Sequence, residues 1–325
     1  MRLLSVLRRQ SADFILMKRG YGMIDDQRLN NIKFYQNKRV LVTGHTGFKG
    51  TWLTAVLNFM GAKAVGYALA PKPDGLYQKI CGNELIHHVS GDLMDSSLLE
   101  RTILEFQPEI VFHLAAYGAV PKCFEDPVRT YQTNLVGSTI LLEALRNCPS
   151  VKSIVLESVD HVNKSDPYSI SKICMEHMAQ EYLTSYFQTD GRITGIAAVC
   201  TGNMPAGDSQ IYTELMNKPK PHNLLQTRRW HSVLDTLDWY LTVSRMLYEN
   251  PSVYVGVWDV QSWRQKTEWN YRLSGEEVID QAMGSVKCQL DGEQEREICM
   301  RMIAVYYGAE SPILCREQIS EFFEI

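Results

Sequence analysis

A glycine-rich turn between a buried strand and a helix is the feature that most constrains this fold. The run "RVLVTG" (Arg39–Gly44) is short, β-branched and apolar, which is typical of a buried parallel strand. It leads into "HTGFKG", and the following "TWLTAVLNFMG" has the period of a helix that ends at Gly61. This order predicts a strand–turn–helix unit, which needs a larger sheet to pack against.

The same alternation continues along the chain. Further strand-like runs follow at "KAVGYAL", "EIVFHLAA", "VKSIVLES" and "RITGIAAV", separated by segments with helical periodicity. Parallel strands joined by crossover helices form right-handed βαβ units. We therefore predict an α/β fold, a Rossmann-type doubly wound parallel sheet with a small mixed α/β C-terminal substrate subdomain.

Composition excludes several classes of protein. The chain has 325 residues, of which 45% are hydrophobic and 22% charged, as in ordinary globular proteins. The net charge is −4 and the Lys and Arg residues are dispersed, so the sequence has no basic cluster of the kind that binds nucleic acid. No apolar run approaches the ~18–20 residues that a membrane span needs. The eight Cys show neither CxxC pairs nor metal-ligand spacing, so we expect free thiols, no metal and a cytoplasmic location.

The turn itself predicts a dinucleotide site. Gly44, Gly47 and Gly50 form the pattern GxxGxxG at the junction between the first strand and the first helix. These glycines permit a tight turn, let backbone N–H groups approach a pyrophosphate, and let the helix pack on the sheet. Within the same loop, the side chains of His45 and Lys49 are either phosphate ligands or solvated loop residues.

Residues at the ends of later strands extend this predicted site. Asp92 and Leu93 follow the third strand, where an adenine would lie, and "HLAAY" ends the fourth strand. His113, inside that strand, is interpreted as a core residue. The second strand contains Tyr67 and ends without the carboxylate that often binds the ribose, so the signal that favours NAD over NADP is absent. We predict NAD as the cofactor, with NADP left open. The cofactor-binding residues predicted so far are Gly44, His45, Thr46, Gly47, Phe48, Lys49, Gly50, Tyr67, Asp92, Leu93, Ala115, Ala116 and Tyr117.

The segment "DPYSISK" carries the strongest catalytic signal. Tyr168 and Lys172 stand four residues apart on a predicted helix, so both side chains share one face. A nearby ammonium lowers the pKa of a phenol and lets it act as a general base. Lys172 is also a candidate hydrogen-bond donor to the nicotinamide ribose. We therefore predict that both residues contact the cofactor and take part in catalysis.

Together these motifs resemble the extended short-chain dehydrogenase/reductase superfamily. Four segments are similar in sequence to bacterial CDP-glucose 4,6-dehydratases: "NKRVLVTGHTGFKG", "PEIVFHLAA", "DPVRTYQTNLVGSTILLEALR" and "DPYSISK". The resemblance implies a nucleotide-sugar substrate, CDP-linked, that is converted through bound NAD to a 4-keto-6-deoxy sugar. It adds Asn134 to the cofactor site, Asn203 and Arg229 to the substrate site, and a homodimer formed through the two long helices.

The match also implies an acid/base pair just after the fifth strand. The family motif "TSDK" aligns with "SVDH", which gives Ser158, Val159, Asp160 and His161. Asp160 keeps the acid, and His161 replaces a Lys with a group suited to act as a base. Val159 cannot donate the family's hydrogen bond, unless Ser158 takes its place. The loop between this motif and "DPYS" is reduced to "VNKS", much shorter than in the family.

Three hypotheses follow from these departures. The chain is a CDP-glucose-type dehydratase, another NAD(P)-dependent nucleotide-sugar epimerase, reductase or decarboxylase, or an impaired dinucleotide-binding partner or regulatory subunit. The corresponding domains are 1–33, an N-terminal extension, and 34–201, the dinucleotide-binding domain. Residues 1–22 of the extension are a targeting segment, a peripheral helix or a simple extension. Residues 202–325 form the substrate-side subdomain, interleaved with the sheet edge.

Overall fold

A seven-stranded parallel sheet organises the protein. The computed structural model describes residues 26–73, 75–80, 82–118, 120–159, 165–189, 192–200, 228–230, 233–259, 271–273, 300 and 303. The strands of the sheet are β1 (Arg39–Thr43), β2 (Lys63–Ala68), β3 (His87–Ser90), β4 (Ile110–His113), β5 (Ser153–Ser158), β8 (Gly195–Cys200) and β10 (Gly256–Asp259). They follow the order β10-β8-β5-β4-β1-β2-β3, and every neighbouring pair is parallel. The predicted doubly wound sheet is confirmed.

Helices cover both faces of the sheet. The strand side chains alternate between the faces and are apolar on both, so each face needs a covering layer. Val40 and Val42 of β1 lie in one core, whereas Leu41 lies in the other. The first core is covered by helices α1 (Asp26–Tyr35), α2 (Phe48–Phe59) and α10 (Val233–Glu249). The second is covered by α5 (Ser96–Phe106), α8 (Gly137–Arg146) and α9 (Pro167–Tyr182). Burial on both faces explains why the strands read as continuous apolar runs.

Shorter elements connect these layers. They are α3 (Leu76–Lys79), α4 (Gly82–Leu85), α6 (Val120–Glu125), α7 (Pro127–Tyr131), and the antiparallel pairs β6 (Gln188–Thr189) with β7 (Arg192–Ile193) and β9 (Arg228–Trp230) with β11 (Tyr271–Leu273). A π-helical segment, Gln132–Val136, lies between α7 and α8, and a second, Leu183–Phe187, follows α9. Within the described helices, none combines the length and the apolar character that crossing a membrane requires.

Helix α1 packs into the domain, although most of it falls within the predicted extension. The Tyr35 hydroxyl donates to the backbone oxygen of Leu241 at 2.8 Å, and Asn31 Nδ2 donates to Thr242 Oγ1 at 3.0 Å. Residues 26–33 therefore belong structurally with the sheet layers. So do α10, which packs on the first core, and β10, which pairs with β8. Residues 1–25 lie outside the described residues.

Candidate active site

The glycine turn lies where the strand order reverses. β1 pairs with β2 on one side and with β4 on the other, and ligands of doubly wound sheets bind at the carboxyl ends of such strands. Gly44 has φ +72°, and a Cβ there would lie 2.6 Å from the backbone nitrogen of Ala115. A Cβ on Gly50 would lie 2.3 Å from the Gly44 carbonyl oxygen. Both positions therefore require glycine.

The amino terminus of α2 provides the donors for an anion. Gly47 is the N-cap residue, no side chain caps the helix, and its first turn contains no acidic residue. The first backbone N–H groups of a helix have no partners within it, and the helix dipole favours negative charge there. Thr46 Oγ1 donates to the Leu69 carbonyl at 3.2 Å, and Phe48 packs on the core. This donor set suits a pyrophosphate.

The side chain of His45 does not face this loop. Its ring is completely buried, and its Nε2 lies 2.7 Å from His88 Nδ1. It rests on Gly66, where a Cβ would come within 2.4 Å of the ring. Burial, and then the neighbouring His88, lowers the pKa of His45 to about 3. The interpretation of His45 as a phosphate-reaching side chain is therefore corrected: it is a neutral residue beneath the loop.

Tyr67 and Leu93 also lie in the core rather than at the surface of the site. Tyr67 is completely buried, and its hydroxyl donates to the Asp92 carbonyl oxygen at 2.8 Å. Leu93 is buried against Gly137. Asp92 is the exposed member of this group. Tyr67 and Leu93 thus position the backbone after β3, and of the three predicted residues Asp92 is the one a ligand can reach.

The loop after β4 is tied to helix α9 by Asn134. Asn134 Oδ1 accepts from the Tyr117 backbone N–H at 2.7 Å, and its Nδ2 donates to the Tyr117 carbonyl at 3.1 Å and to Ser171 Oγ at 2.9 Å. Asn134 lies in the first π-helical segment, a geometry often found at functional sites. Its amide is thus occupied in holding Tyr117, next to the partly exposed Ala115 and Ala116.

His113 is a core residue, as predicted. Its Nδ1 lies 2.7 Å from Thr43 Oγ1, and its Nε2 lies 2.7 Å from Ser138 Oγ. Because the Ser138 hydroxyl donates to the Asn134 carbonyl oxygen at 2.7 Å, Nε2 must carry the proton of the neutral ring. Burial, and then the charge of Lys172, lowers the pKa of His113 to about 3.

Tyr168 and Lys172 lie in the first turns of α9, facing the loop after β4. The Asp166 carboxylate accepts from the Ser169 backbone N–H at 2.9 Å and starts the helix. Lys172 Nζ is completely buried, donates to the Glu157 carbonyl oxygen at 3.0 Å, and lies 6.0 Å from the centre of the Tyr168 ring. A Cβ on Gly118 would lie 3.6 Å from that ring. The pair therefore shares one face, as its spacing predicts.

Glu157 is a residue of the candidate site that sequence reasoning missed. It stands near the end of β5, and the ammonium of Lys49 donates to its Oε1. Burial alone would raise the pKa of the Glu157 carboxyl, but Lys49 and then Lys172 hold it below its ordinary value. The available signal was an acidic residue inside the otherwise apolar run "SIVLES". Lys49 is thus directed toward β5 rather than toward solvent.

Burial, together with the Glu157 carboxylate, raises the pKa of Tyr168 and favours the protonated phenol. Burial is the main cause that raises the pKa of Tyr168, the Glu157 carboxylate raises it further, and the Lys49 ammonium opposes both. The pKa of Lys172 is itself lowered, chiefly by burial. We expected Lys172 to lower the pKa of Tyr168 toward neutral pH. The described protein groups have the opposite net effect.

The acid motif after β5 is only partly described. Ser158 is buried, and its hydroxyl donates to Glu176 of α9, so it does not stand in for the donor missing at Val159. The Val159 carbonyl oxygen accepts from Cys200 Sγ at 2.7 Å. Asp160, His161 and Asn203 lie outside the described residues, and Arg229 is described only as a backbone position in β9. Within the described part of the chain, no group of three or more His, Cys, Asp or Glu side chains forms a metal site.

A Rossmann-type dinucleotide-binding protein is the class that this sheet and glycine turn define. Residues 40–255 match the model of the NAD dependent epimerase/dehydratase family, and the chain belongs to that family. It is 35% identical over 256 residues to the CDP-glucose 4,6-dehydratase of Salmonella typhimurium, covering 70% of this chain and 71% of that protein. The dTDP-D-glucose 4,6-dehydratase of Dictyostelium discoideum is 26% identical over 179 residues, covering 46% of this chain and 41% of that one.

Solved structures show the same fold. The UDP-glucose 4-epimerase of Thermus thermophilus, solved in complex with NAD, superposes with a TM-score of 0.51 at 22% identity, covering 84% of this chain and 100% of that one. Pen from Bacillus thuringiensis superposes with a TM-score of 0.55 at 22% identity, covering 66% of each chain. The described residues fit the family's cofactor, since the glycine turn and the uncapped start of α2 supply backbone donors for its pyrophosphate.

Proposed function

We propose that this protein is a nucleotide-sugar 4,6-dehydratase of the CDP-glucose type. The observation that carries the proposal is the Tyr168/Lys172 pair facing the loop after β4, beside the glycine turn. The similarity to the Salmonella typhimurium enzyme supports the substrate class. In the net reaction, C4 is oxidised, C6 is reduced, and one water is lost across C5 and C6. The glycine turn and the start of α2 would hold NAD, which would supply the hydride acceptor and donor that this net reaction needs.

The protein's own groups move the protons. Tyr168 accepts the proton of the C4 hydroxyl, and Lys172, fixed by the Glu157 carbonyl, contributes positive charge beneath the phenol. Because the surrounding protein raises the pKa of Tyr168, formation of the phenolate needs further positive charge, which NAD would supply when bound. Asp160 and His161 are proposed as the acid/base pair that removes water across C5 and C6.

The rest of the substrate site is carried over from the family resemblance. Asn203 is proposed to donate a hydrogen bond to the substrate diphosphate, and Arg229 to pair with the same group in a bidentate manner. We also propose a homodimer built from the segments around α6 to α9. The exposed side chains of Phe124 (62%), Val128 (65%) and Val136 (43%) support an interface there.

A second candidate is a dinucleotide-binding subunit without turnover. Two observations favour it: the Ser158 hydroxyl is directed to Glu176, and Val159 offers no side-chain donor in place of the family's Ser. A third candidate, a nucleotide-sugar epimerase, reductase or decarboxylase, keeps Tyr168 and Lys172 but needs neither Asp160 nor His161.

One assay separates the three candidates. The protein is incubated with NAD and a panel of nucleoside-diphosphate sugars, and the products are identified by mass and by the alkaline absorbance of a 4-keto sugar. A product lighter by one water, formed from a CDP-linked hexose, is the expected result. An isomer, a reduced sugar or a decarboxylated sugar points to the third candidate. No turnover together with intact NAD binding points to the second.

A further inference from the structure

We propose that Glu157 is a positioning residue of this site: its carboxylate holds Lys49, its backbone carbonyl holds Lys172, and these contacts place the charges that act on the Tyr168 hydroxyl. Neither Glu157 nor Lys49 is among the acid/base groups assigned above, which are Tyr168, Lys172, Asp160 and His161. The inference deepens the proposed function, on which it rests for the role of Tyr168. The contact between Lys49 and Glu157 and its electrostatic effect are independent of which sugar is bound.

The pair spans three strands of the sheet. Lys49 comes from the first turn of α2, directly after β1, whereas Glu157 belongs to β5, and β4 lies between the two strands. The Lys49 ammonium donates to Glu157 Oε1, and the side chains are only 20% and 12% exposed. The long side chain of Lys49 thus crosses the carboxyl edge of the sheet. Its ammonium lies near α9 and is directed to Glu157, not to the backbone donors at the start of α2.

Glu157 contacts both lysines of the site. Its side chain accepts from Lys49, and its backbone carbonyl accepts from Lys172 Nζ at 3.0 Å. Burial favours the neutral form of Lys49, but the Glu157 carboxylate outweighs it, so the net effect is to raise the pKa of that ammonium. In a largely buried setting such a pair is little screened by salt. The site therefore holds one fixed negative charge between two positive charges.

Each charge acts on Tyr168 in a defined direction. Negative charge near a phenol disfavours the phenolate, and positive charge favours it. Removing the Glu157 charge should therefore lower the pKa of Tyr168, and removing the Lys49 charge should raise it. Among the residues that the structure describes, the titratable or charged groups around Tyr168 are Glu157 on β5, Lys49 on α2, Tyr240 on α10, Cys123 on α6, and Lys172 on its own helix.

The test uses a probe that requires no substrate. 3-Nitrotyrosine is placed at position 168 of the full-length protein, because its phenol titrates well below that of tyrosine and its phenolate absorbs visible light. The pKa of the probe is measured in the parent, in Glu157→Gln and in Lys49→Met. Glu109→Gln is the matched control, since Glu109 pairs with Lys38 and Arg39 (3.9 and 3.7 Å) at the amino end of β4.

We expect Glu157→Gln to lower the pKa of the probe by about one unit or more, which is the size of effect that a nearby charge produces. Lys49→Met should raise the pKa, and Glu109→Gln should leave it unchanged. Equal shifts in Glu157→Gln and Glu109→Gln, or shifts of the same sign in Glu157→Gln and Lys49→Met, would overturn the proposal. Circular dichroism checks the fold of each variant.

Removing one partner of a buried ion pair can unfold a protein. A double variant therefore provides a second measurement. If Glu157→Gln does not fold, the double variant Glu157→Gln/Lys49→Met removes both charges and is titrated against Lys49→Met alone. The double variant should then show the lower pKa, and an equal pKa in both refutes the role of Glu157. The proposed function is tested separately. If the pKa shifts are present but no nucleotide sugar is turned over, the dehydratase function is rejected and the electrostatic role of Glu157 and Lys49 is retained.

Discussion

Lys172 Nζ donates a hydrogen bond of 3.0 Å to the backbone carbonyl oxygen of Glu157, which fastens helix α9 to β5, the strand that precedes it. Helix α9 is thereby fixed at its first turns, where Tyr168 lies. The carboxylate of Glu157 also accepts from Lys49, which lies in the first turn of α2, after the glycine turn. A single residue of β5 thus connects the predicted cofactor half of the site with its predicted catalytic pair.

Tyr168→Phe should reduce turnover by about 10²- to 10⁴-fold, the usual contribution of a general acid–base group. The phenol is the group positioned above Lys172, and phenylalanine keeps the ring while removing the hydroxyl. Turnover of the preferred nucleotide sugar is measured at saturating NAD. Tyr186→Phe, at a partly exposed ring beyond α9, is the control and should keep the parent rate. A parental rate in Tyr168→Phe would remove Tyr168 from the mechanism.

Gly66→Ala should destabilise the fold by about 1–3 kcal/mol, the usual effect of overpacking. The added Cβ would lie 2.4 Å from the His45 ring, which is itself held by His88 at 2.7 Å. The free energy of unfolding is measured by urea titration. Gly118→Ala is the control, because its Cβ would make an ordinary contact of 3.6 Å. Equal stability of the two variants would contradict the observed position of His45.

Stability should fall as the pH drops from about 6.5 toward 3. The pKa values of His45 and His113 are lowered to about 3 in the folded protein, burial being the first cause for both. The unfolded chain therefore takes up these protons first, and each histidine contributes a slope of up to about 1.4 kcal/mol per pH unit. The measurement is the free energy of unfolding across this range. His113→Asn should flatten the slope relative to a variant at the exposed His87, and an unchanged slope would contradict the prediction.

Asn134→Ala should lower the free energy of unfolding by about 2 kcal/mol or more. The variant removes three hydrogen bonds to Tyr117 and Ser171, and it leaves buried polar groups without partners. Thermal or urea unfolding measures the loss. Asn58→Ala, which removes one bond of 3.3 Å to the Leu85 carbonyl, is the control and should have the smaller effect. The reverse order would show that Asn134 does not hold the loop.

Val128→Glu should convert the proposed dimer to a monomer. The Val128 side chain is 65% exposed on α7, and a buried charge in an apolar interface opposes association. Light scattering after gel filtration measures the mass. Val253→Glu, at a side chain of similar exposure (68%) near the end of α10, is the control. A parental protein of monomer mass would reject the dimer itself.

Local patterns were enough to predict much of the fold. The β-branched runs and the glycine turn predicted the parallel sheet, because strands buried on both faces must be apolar and a turn at φ +72° needs a glycine such as Gly44. His113 was placed in the core for the same reason. The i,i+4 spacing of Tyr168 and Lys172 predicted their shared face, since helix geometry alone determines it.

Direction and depth of individual side chains could not be read in this way. His45, Tyr67 and Leu93 stand at positions that suit a ligand in sequence, yet all three are buried beneath the site. Each is held there by a residue distant in the chain, such as His88 for His45 and Gly137 for Leu93. Sequence distance carries no information on such contacts without the packed sheet.

The sequence by itself determined the doubly wound sheet, the glycine turn and the Tyr/Lys pair, because all three follow from short-range periodicity and backbone conformation. Tertiary structure alone decided that Lys49 turns toward Glu157, that Ser158 donates to Glu176, and that Asn134 holds Tyr117. These are contacts between elements brought together by the sheet order. The charge around Tyr168 depends on them, since electrostatic interactions follow distance in space and burial rather than position along the chain.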